Sequence, residues 1–171
     1  MNDITNCTVH PCALAEAAGT SNLSLTSEHS GTATLTSVGD DAIRVMEVDV
    51  RVGDDCITAA PRLIKIDVEG YELHVLKGLK QTLLAHKPFL ITELVDNHLE
   101  RAGNSSLEVR TFLIDLGYIG YGLGLSRKFL RHTLSLHPLA GSTTSHQFTD
   151  VLWVHQDQKI DLRKYIPAST D

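Results

Sequence analysis

The chain has 171 residues, 42% of them hydrophobic and 21% charged, with a formal net charge of -6. That composition is ordinary for one globular domain able to bury a core, and an acidic chain with no basic run longer than "SRKFLRH" argues against nucleic-acid or anionic-membrane binding through a basic patch. No apolar stretch approaches the roughly 20 residues of a membrane span, and "MNDITNC" has no basic segment followed by an apolar one, so the expectation is a cytoplasmic protein without a secretory signal.

Residues 6 to 14, "NCTVHPCAL", read as a strand running into a turn, and "NLSL" as the start of a short strand or hairpin. The Ser-, Thr- and Gly-rich stretch from Thr26 to Asp41 reads as a mobile loop. "RVMEVDVRV", residues 44 to 52, has the period of a half-exposed strand. The cysteines are Cys7, Cys12 and Cys56. Their odd number, with no signal segment, predicts free thiols, and short apolar cysteines are commonly core residues. A strand at "NCTVHP" puts Cys7 and His10 on opposite faces, so they cannot share an ion. No HExxH-type spacing occurs among the histidines, and no metal site is predicted.

From Pro61 the pattern sharpens. "RLIKIDV" is a strand of the kind found in a parallel sheet. "YELHVLKGLKQTLLAHK" places Leu73, Leu76, Leu79 or Lys80, and Leu83 on one helical face. Lys80, His86 and Lys87 gather at its negative end and Pro88 stops it. Gly78, mid-helix, costs about 1 kcal/mol against alanine and reflects either close packing on the sheet or simple tolerance. "PFLITEL" is a second buried strand, so residues 62 to 67 and 88 to 94 are expected as adjacent parallel strands joined by a helix over about 71 to 86. Ser105 with Glu108 forms a capping-box pattern that starts another helix, and Gly117 is placed to close it. "GYGLG", residues 120 to 124, lacks the strand-before, helix-after context of a dinucleotide fingerprint and reads as a turn or bulge. "GYIGYGL", "RKFLRHT" and "TDVLWVH" read as closing strands, the last two antiparallel, with "LSLHPLAGSTTSHQ" as loop between them.

The stretch "IKIDVEGYE" poses the functional question. Ile64, Ile66 and Val68 share one face of the strand, and Lys65, Asp67 and Glu69 share the other. Ligands of open α/β sheets bind beyond the carboxyl ends of the strands, where Asp67 and Glu93 end two neighbours. Asp96, Asn97 and His98 follow on the loop after the second strand, with Lys65 one step deeper beside Asp67. The alternative is structural: Lys65 and Asp67 as an ion pair, Glu69 and Glu72 as acids at a helix amino terminus. Periodicity alone leaves both open.

"LIKIDVEGYELHVLKGLKQTLLAHKPFLITEL" resembles the hallmark segment of the FkbM-family methyltransferases. "VHPCALAEAAGTSNLSL", "VDVRVGDDCI" and "TDVLWVH" resemble flanking pieces more loosely, so the likeness spans about residues 6 to 155, with 61 to 94 specific. The resemblance implies an α/β, Rossmann-like fold, a mostly parallel sheet with an antiparallel closing strand, and S-adenosylmethionine as cofactor. The expected acceptor is a hydroxyl oxygen of a small molecule or sugar. Asp67 matches the acid near the methyl group and acceptor, and it would touch cofactor as well as substrate. Glu69 and Glu93 match acids bordering the acceptor site, with Lys65 beside them. Cys12 and Ala13 fall near the turn that edges the adenine. The family's Gly-rich cofactor loop and ribose-binding acid have no counterpart ahead of residue 6. The expectation is therefore a single domain, incomplete in its amino-terminal cofactor half, with residues 156 to 171 as a tail. Weak cofactor binding and association through an exposed sheet edge follow from that expectation. Two rivals stand beside it: a non-catalytic remnant that binds a partner, and a hydrolase using Asp67 and Glu93 in acid-base or metal-assisted work.

Overall fold

The structure, a computed structural model, describes residues 5–25, 33–35, 42–128, 131–139 and 148–167. Alternation in the amino-terminal part produces a four-stranded sheet. Its strands are β1 (Ala13–Ala15), β2 (Gly19–Leu25), β3 (Ala33–Thr34) and β4 (Arg44–Val52), in the order β1-β4-β2-β3. The first strand is shorter and later than "NCTVHPCAL" suggested. Pro11 has no N–H for a ladder, and the Cys12 N–H turns back to the His10 carbonyl at 2.9 Å. Cys7 is exposed, and Cys12 and Cys56 are only half-buried, so none of the three is the core residue that composition favoured. The Thr26 to Asp41 stretch contains β3, and most of the remainder lies outside the described residues.

After β4, "GDDC" forms the single-turn helix α1 (Gly53–Cys56). The second sheet then begins with β5 (Leu63–Ile66), followed by α2 (Glu72–Gly78), α3 (Lys80–His86) and β6 (Phe89–Glu93). β5 and β6 pair in parallel with Ile64 opposite Leu90, as the crossover required. The helix between them is broken only at Leu79, whose N–H still bonds the Val75 carbonyl at 3.1 Å. Leu73, Leu76, Leu79 and Leu83 are all buried, and each contributes roughly 1.5–3 kcal/mol of burial. Lys87, left-handed at φ 49°, ends α3.

α4 (Asp96–Arg101) and α5 (Ser106–Asp115) follow. Ser105 caps α5 reciprocally: its Oγ accepts the Glu108 N–H at 3.3 Å and its hydroxyl donates to Glu108 Oε2 at 2.8 Å. α4 occupies residues read from the sequence as loop, since six residues are too few to show a periodicity. Then come β7 (Tyr118–Lys128), β8 (Arg131–Pro138), β9 (Asp150–His155) and a 3-10 turn at Arg163–Tyr165, and the second sheet has the order β5-β6-β9-β7-β8.

Two corrections to the expected topology follow. Among the described residues, only β1–β4 and β5–β6 are parallel pairs; the other five pairings are antiparallel, so the sheets are not mostly parallel. The cause is local: β7 and β8 join as a hairpin with no room for a crossover. β9 is antiparallel to both its neighbours, inserted between β6 and β7, rather than paired with β8. The "GYGLG" stretch is neither turn nor bulge but mid-strand. Its glycines make room for neighbours, and a Cβ at Gly120 would lie 2.8 Å from the Trp153 ring. Among the described residues, no helix is long and apolar enough to cross a membrane, which says nothing of a β-barrel.

Gly78 resolves in favour of close packing. A Cβ there would lie 2.1 Å from the Ala15 carbonyl oxygen, so α2 is pressed against the end of β1. Helix propensity alone would reward Gly78→Ala by about 1 kcal/mol. Overpacking against rigid backbone costs about 1–3 kcal/mol and should win. Urea denaturation is expected to show a net loss near 1–2 kcal/mol; a gain would mean the two elements can separate freely.

Candidate active site

The loop from β5 to α2 aims the acids. Beyond Ile66 the chain makes a turn with Glu69 at φ 53° and Gly70 at φ 105°. Glu72, at the start of α2, is 1% exposed and ties this turn: its Oε1 accepts the Val68 N–H at 3.3 Å and the Gly70 N–H at 3.2 Å. Tyr71 follows and stacks on His74 at 4.2 Å between ring centroids. The left-handed conformation takes Glu69 out of the strand's alternation and brings its Oε2 to His98 Nδ1 at 2.9 Å.

Asp67, Glu69 and Glu93 each offer a carboxylate oxygen within 4.8 Å of the others. Lys65 Nζ hydrogen-bonds Asp67 Oδ2. The structure thus brings all four together at the carboxyl ends of β5 and β6, with Asp150 opposite Glu93 on β9. Burial and the carboxylates of Asp67, Glu69 and Asp150 push the Glu93 carboxyl above the usual range. The Lys65 ammonium is pushed up as well, favoured chiefly by its hydrogen bond to Asp67. No metal site was expected from histidine and cysteine spacing, yet the three carboxylates are close enough to share a hard cation.

A cavity of about 830 Å³ opens between β1 and β5. Lys65, Asp67 and Glu69 give it an acidic end, and Cys12 and Ala13 also line it. Val75 from α2, Leu79 between α2 and α3, and Val48 from β4 supply apolar surface. Glu93 belongs to the acid cluster but not to the cavity lining. The volume falls in the range of about 300–1,000 Å³ usual for small-molecule sites.

The family model of the methyltransferase FkbM domain matches residues 2–119. The chain belongs to the FkbM methyltransferase family. Among solved structures, the FkbM methyltransferase from Methylobacillus flagellatus KT is similar, at 25% identity and a TM-score of 0.46. That likeness covers 86% of this chain and 28% of the other, so the FkbM chain described here spans under a third of that protein. No curated protein matches significantly.

Two members of this FkbM site escaped the sequence reading. Glu72 was taken as a helix-end acid, and the signal for its burial was the apolar face it shares with Leu73 and Leu76. His98 was placed near the mouth, but its pairing with Glu69 depends on a left-handed residue that periodicity cannot show.

Glu72 gives a pH prediction. Burial pushes its carboxyl up, opposed by the N–H groups of Gly70 and Val68, and its Oε2 has no partner among the described residues. With the folded value raised, the unfolded chain ionises first. Stability is full below the ordinary carboxylate value and falls as pH rises from there toward the raised one. Glu72→Gln keeps the accepting oxygen and removes the charge. It should flatten this slope and be the more stable protein, by about 1 kcal/mol, at mildly alkaline pH. Urea melts at acid and alkaline pH compare the two; parallel slopes would place the pH dependence elsewhere.

Proposed function

We propose that this domain transfers a methyl group from S-adenosylmethionine to a hydroxyl oxygen of a small molecule or sugar. The reading rests on the FkbM match over residues 2–119 together with a cluster of three carboxylates, two of which, Asp67 and Glu69, line the cavity. The donor set suits the cofactor. Asp67 and Glu69 present negative charge to a sulfonium, and the apolar wall with Cys12 and Ala13 suits a flat adenine. When bound, S-adenosylmethionine would supply an electrophilic methyl group. The chain's own work is to hold the acceptor oxygen in line and remove its proton.

The carboxylates divide that work by environment. Lys65 pairs with Asp67 and fixes its carboxylate, which suits it to orienting the acceptor. Glu93, pushed up by burial and by its acidic neighbours, is a stronger base than an ordinary carboxylate and is assigned the role of proton acceptor. Glu69, held by His98, borders the same space.

Transfer of an isotopically labelled methyl group to a panel of hydroxylated small molecules tests the activity. Glu93→Gln should reduce turnover by at least about 100-fold. Asp67→Asn should move the rising limb of the pH–rate profile toward acid, because it removes a like charge beside Glu93 and frees Lys65 to attract it. An unchanged limb in Asp67→Asn would remove Glu93 from the role of base.

A further inference from the structure

Tyr71 is the one phenylalanine-, tyrosine- or tryptophan-type ring among the described residues that line the 830 Å³ cavity, and three parts of the chain hold it in place. Its backbone is fixed first: the N–H donates to the Val68 carbonyl at 3.3 Å, and the carbonyl accepts the Val75 N–H at 3.2 Å. The ring then stacks on His74, with centroids 4.2 Å apart and planes 23° from parallel. Both nitrogens of His74 are committed. Nδ1 donates to the Glu16 carboxylate, just beyond β1, at 2.9 and 3.0 Å from its two oxygens. Nε2 is left to accept the Asn104 amide N–H at 3.1 Å, and the same amide donates to the Ala102 carbonyl at 3.1 Å.

His74 covers one face of the Tyr71 ring, so the cavity receives the other face and the edge. An aromatic face carries negative charge density and attracts a cation. The acidic end of the same cavity has the same sign, with the carboxylates of Asp67 and Glu69 against the single ammonium of Lys65. Burial, followed by Glu16, pushes the Tyr71 hydroxyl up, which keeps the ring a neutral phenol. A ring already immobilised loses little side-chain freedom when a ligand arrives. Resting on the cofactor reading above, we propose that Tyr71 reads the cofactor's positive charge: its ring face takes the sulfonium of S-adenosylmethionine and favours that ligand over the neutral product. Once the methyl group has moved, the sulfur is an uncharged thioether, and Tyr71 no longer holds it against replacement by fresh cofactor.

The test compares S-adenosylmethionine with S-adenosylhomocysteine, the same molecule without the methyl group and its charge, by titrating the full chain through its amide resonances. The unaltered chain should bind the charged form more tightly. Tyr71→Leu should lower that preference about 3- to 30-fold. Tyr71→Phe keeps the ring and should keep the preference. In the unaltered chain, a nuclear Overhauser contact is expected between the S-methyl protons and the Tyr71 ring, a result that needs no variant to fold. Equal weakening of both ligands in Tyr71→Leu would reduce Tyr71 to apolar packing and overturn the inference, leaving the cofactor reading intact. Saturable binding without the Overhauser contact would do the same. Binding of neither ligand by the unaltered chain would overturn the cofactor reading and this inference with it.

Discussion

Trp153→Ala is expected to lower the free energy of unfolding by about 3–5 kcal/mol, the largest loss from any single truncation of this core. Trp153 is 1% exposed on β9, in the middle of the larger sheet. Its ring fills the space left by Gly120 on the neighbouring strand, so nothing close can collapse into the cavity. Its Nε1–H donates to Thr92 Oγ1 at 3.0 Å, and Thr92 is itself fully buried. Truncation therefore adds an orphaned hydroxyl to a void. Trp153→Phe retains most of the volume and should cost less, separating the packing loss from the polar one. Chemical denaturation with a cooperative baseline reads both. A loss below about 1 kcal/mol for Trp153→Ala would mean that β9 is not the centre of this sheet.

Gly70→Ala should cost about 3–5 kcal/mol and disturb the site as well. At φ 105° a side chain is strained in any surroundings. Here a Cβ would also lie 2.2 Å from the His98 carbonyl oxygen and 2.5 Å from its carbonyl carbon. Both obstacles are backbone, so either the β5–α2 turn or the start of α4 must move. Movement of either separates Glu69 from His98 and loosens the carboxylate cluster. Thermal denaturation of Gly70→Ala beside Gly103→Ala gives the contrast. Gly103 is also left-handed, at φ 74°, but its Cβ would meet nothing within 4 Å. Equal losses in the two variants would show that strain alone, not the approach of His98, accounts for Gly70.

Much of this arrangement was legible in the residues because local chemistry and tertiary packing agree there. β4 is bounded as its alternation suggested, and Ser105 with Glu108 caps α5 as its spacing required. The parallel pairing of β5 with β6 followed from the crossover between them. What failed depended on non-local contacts. The glycines of "GYGLG" look like turn residues until Trp153 and Phe148 are found lying over Gly120 and Gly122. The place of β9 between β6 and β7 is set by distant strands, and its own sequence carries no trace of which neighbours it will have. At the site, alternation correctly put Lys65 beside Asp67, and the strand ends brought Glu93 to them. Glu69 joined for a different reason, a left-handed turn that only the following Gly70 hinted at.

The central claim is that the cavity between β1 and β5, with its acidic end at Asp67, takes S-adenosylmethionine. Titration of the isotopically labelled chain with the cofactor, followed through backbone amide resonances, tests it without knowledge of the acceptor. The account predicts saturating shifts at Cys12, Ala13, Asp67 and Glu69, with a dissociation constant of about 0.1–1 mM, roughly 4–5.5 kcal/mol of binding. Absence of saturable shifts would contradict it. So would shifts confined to the separate 390 Å³ cavity formed by Ile119, His155 and Gln158 with the carboxyl-terminal segment.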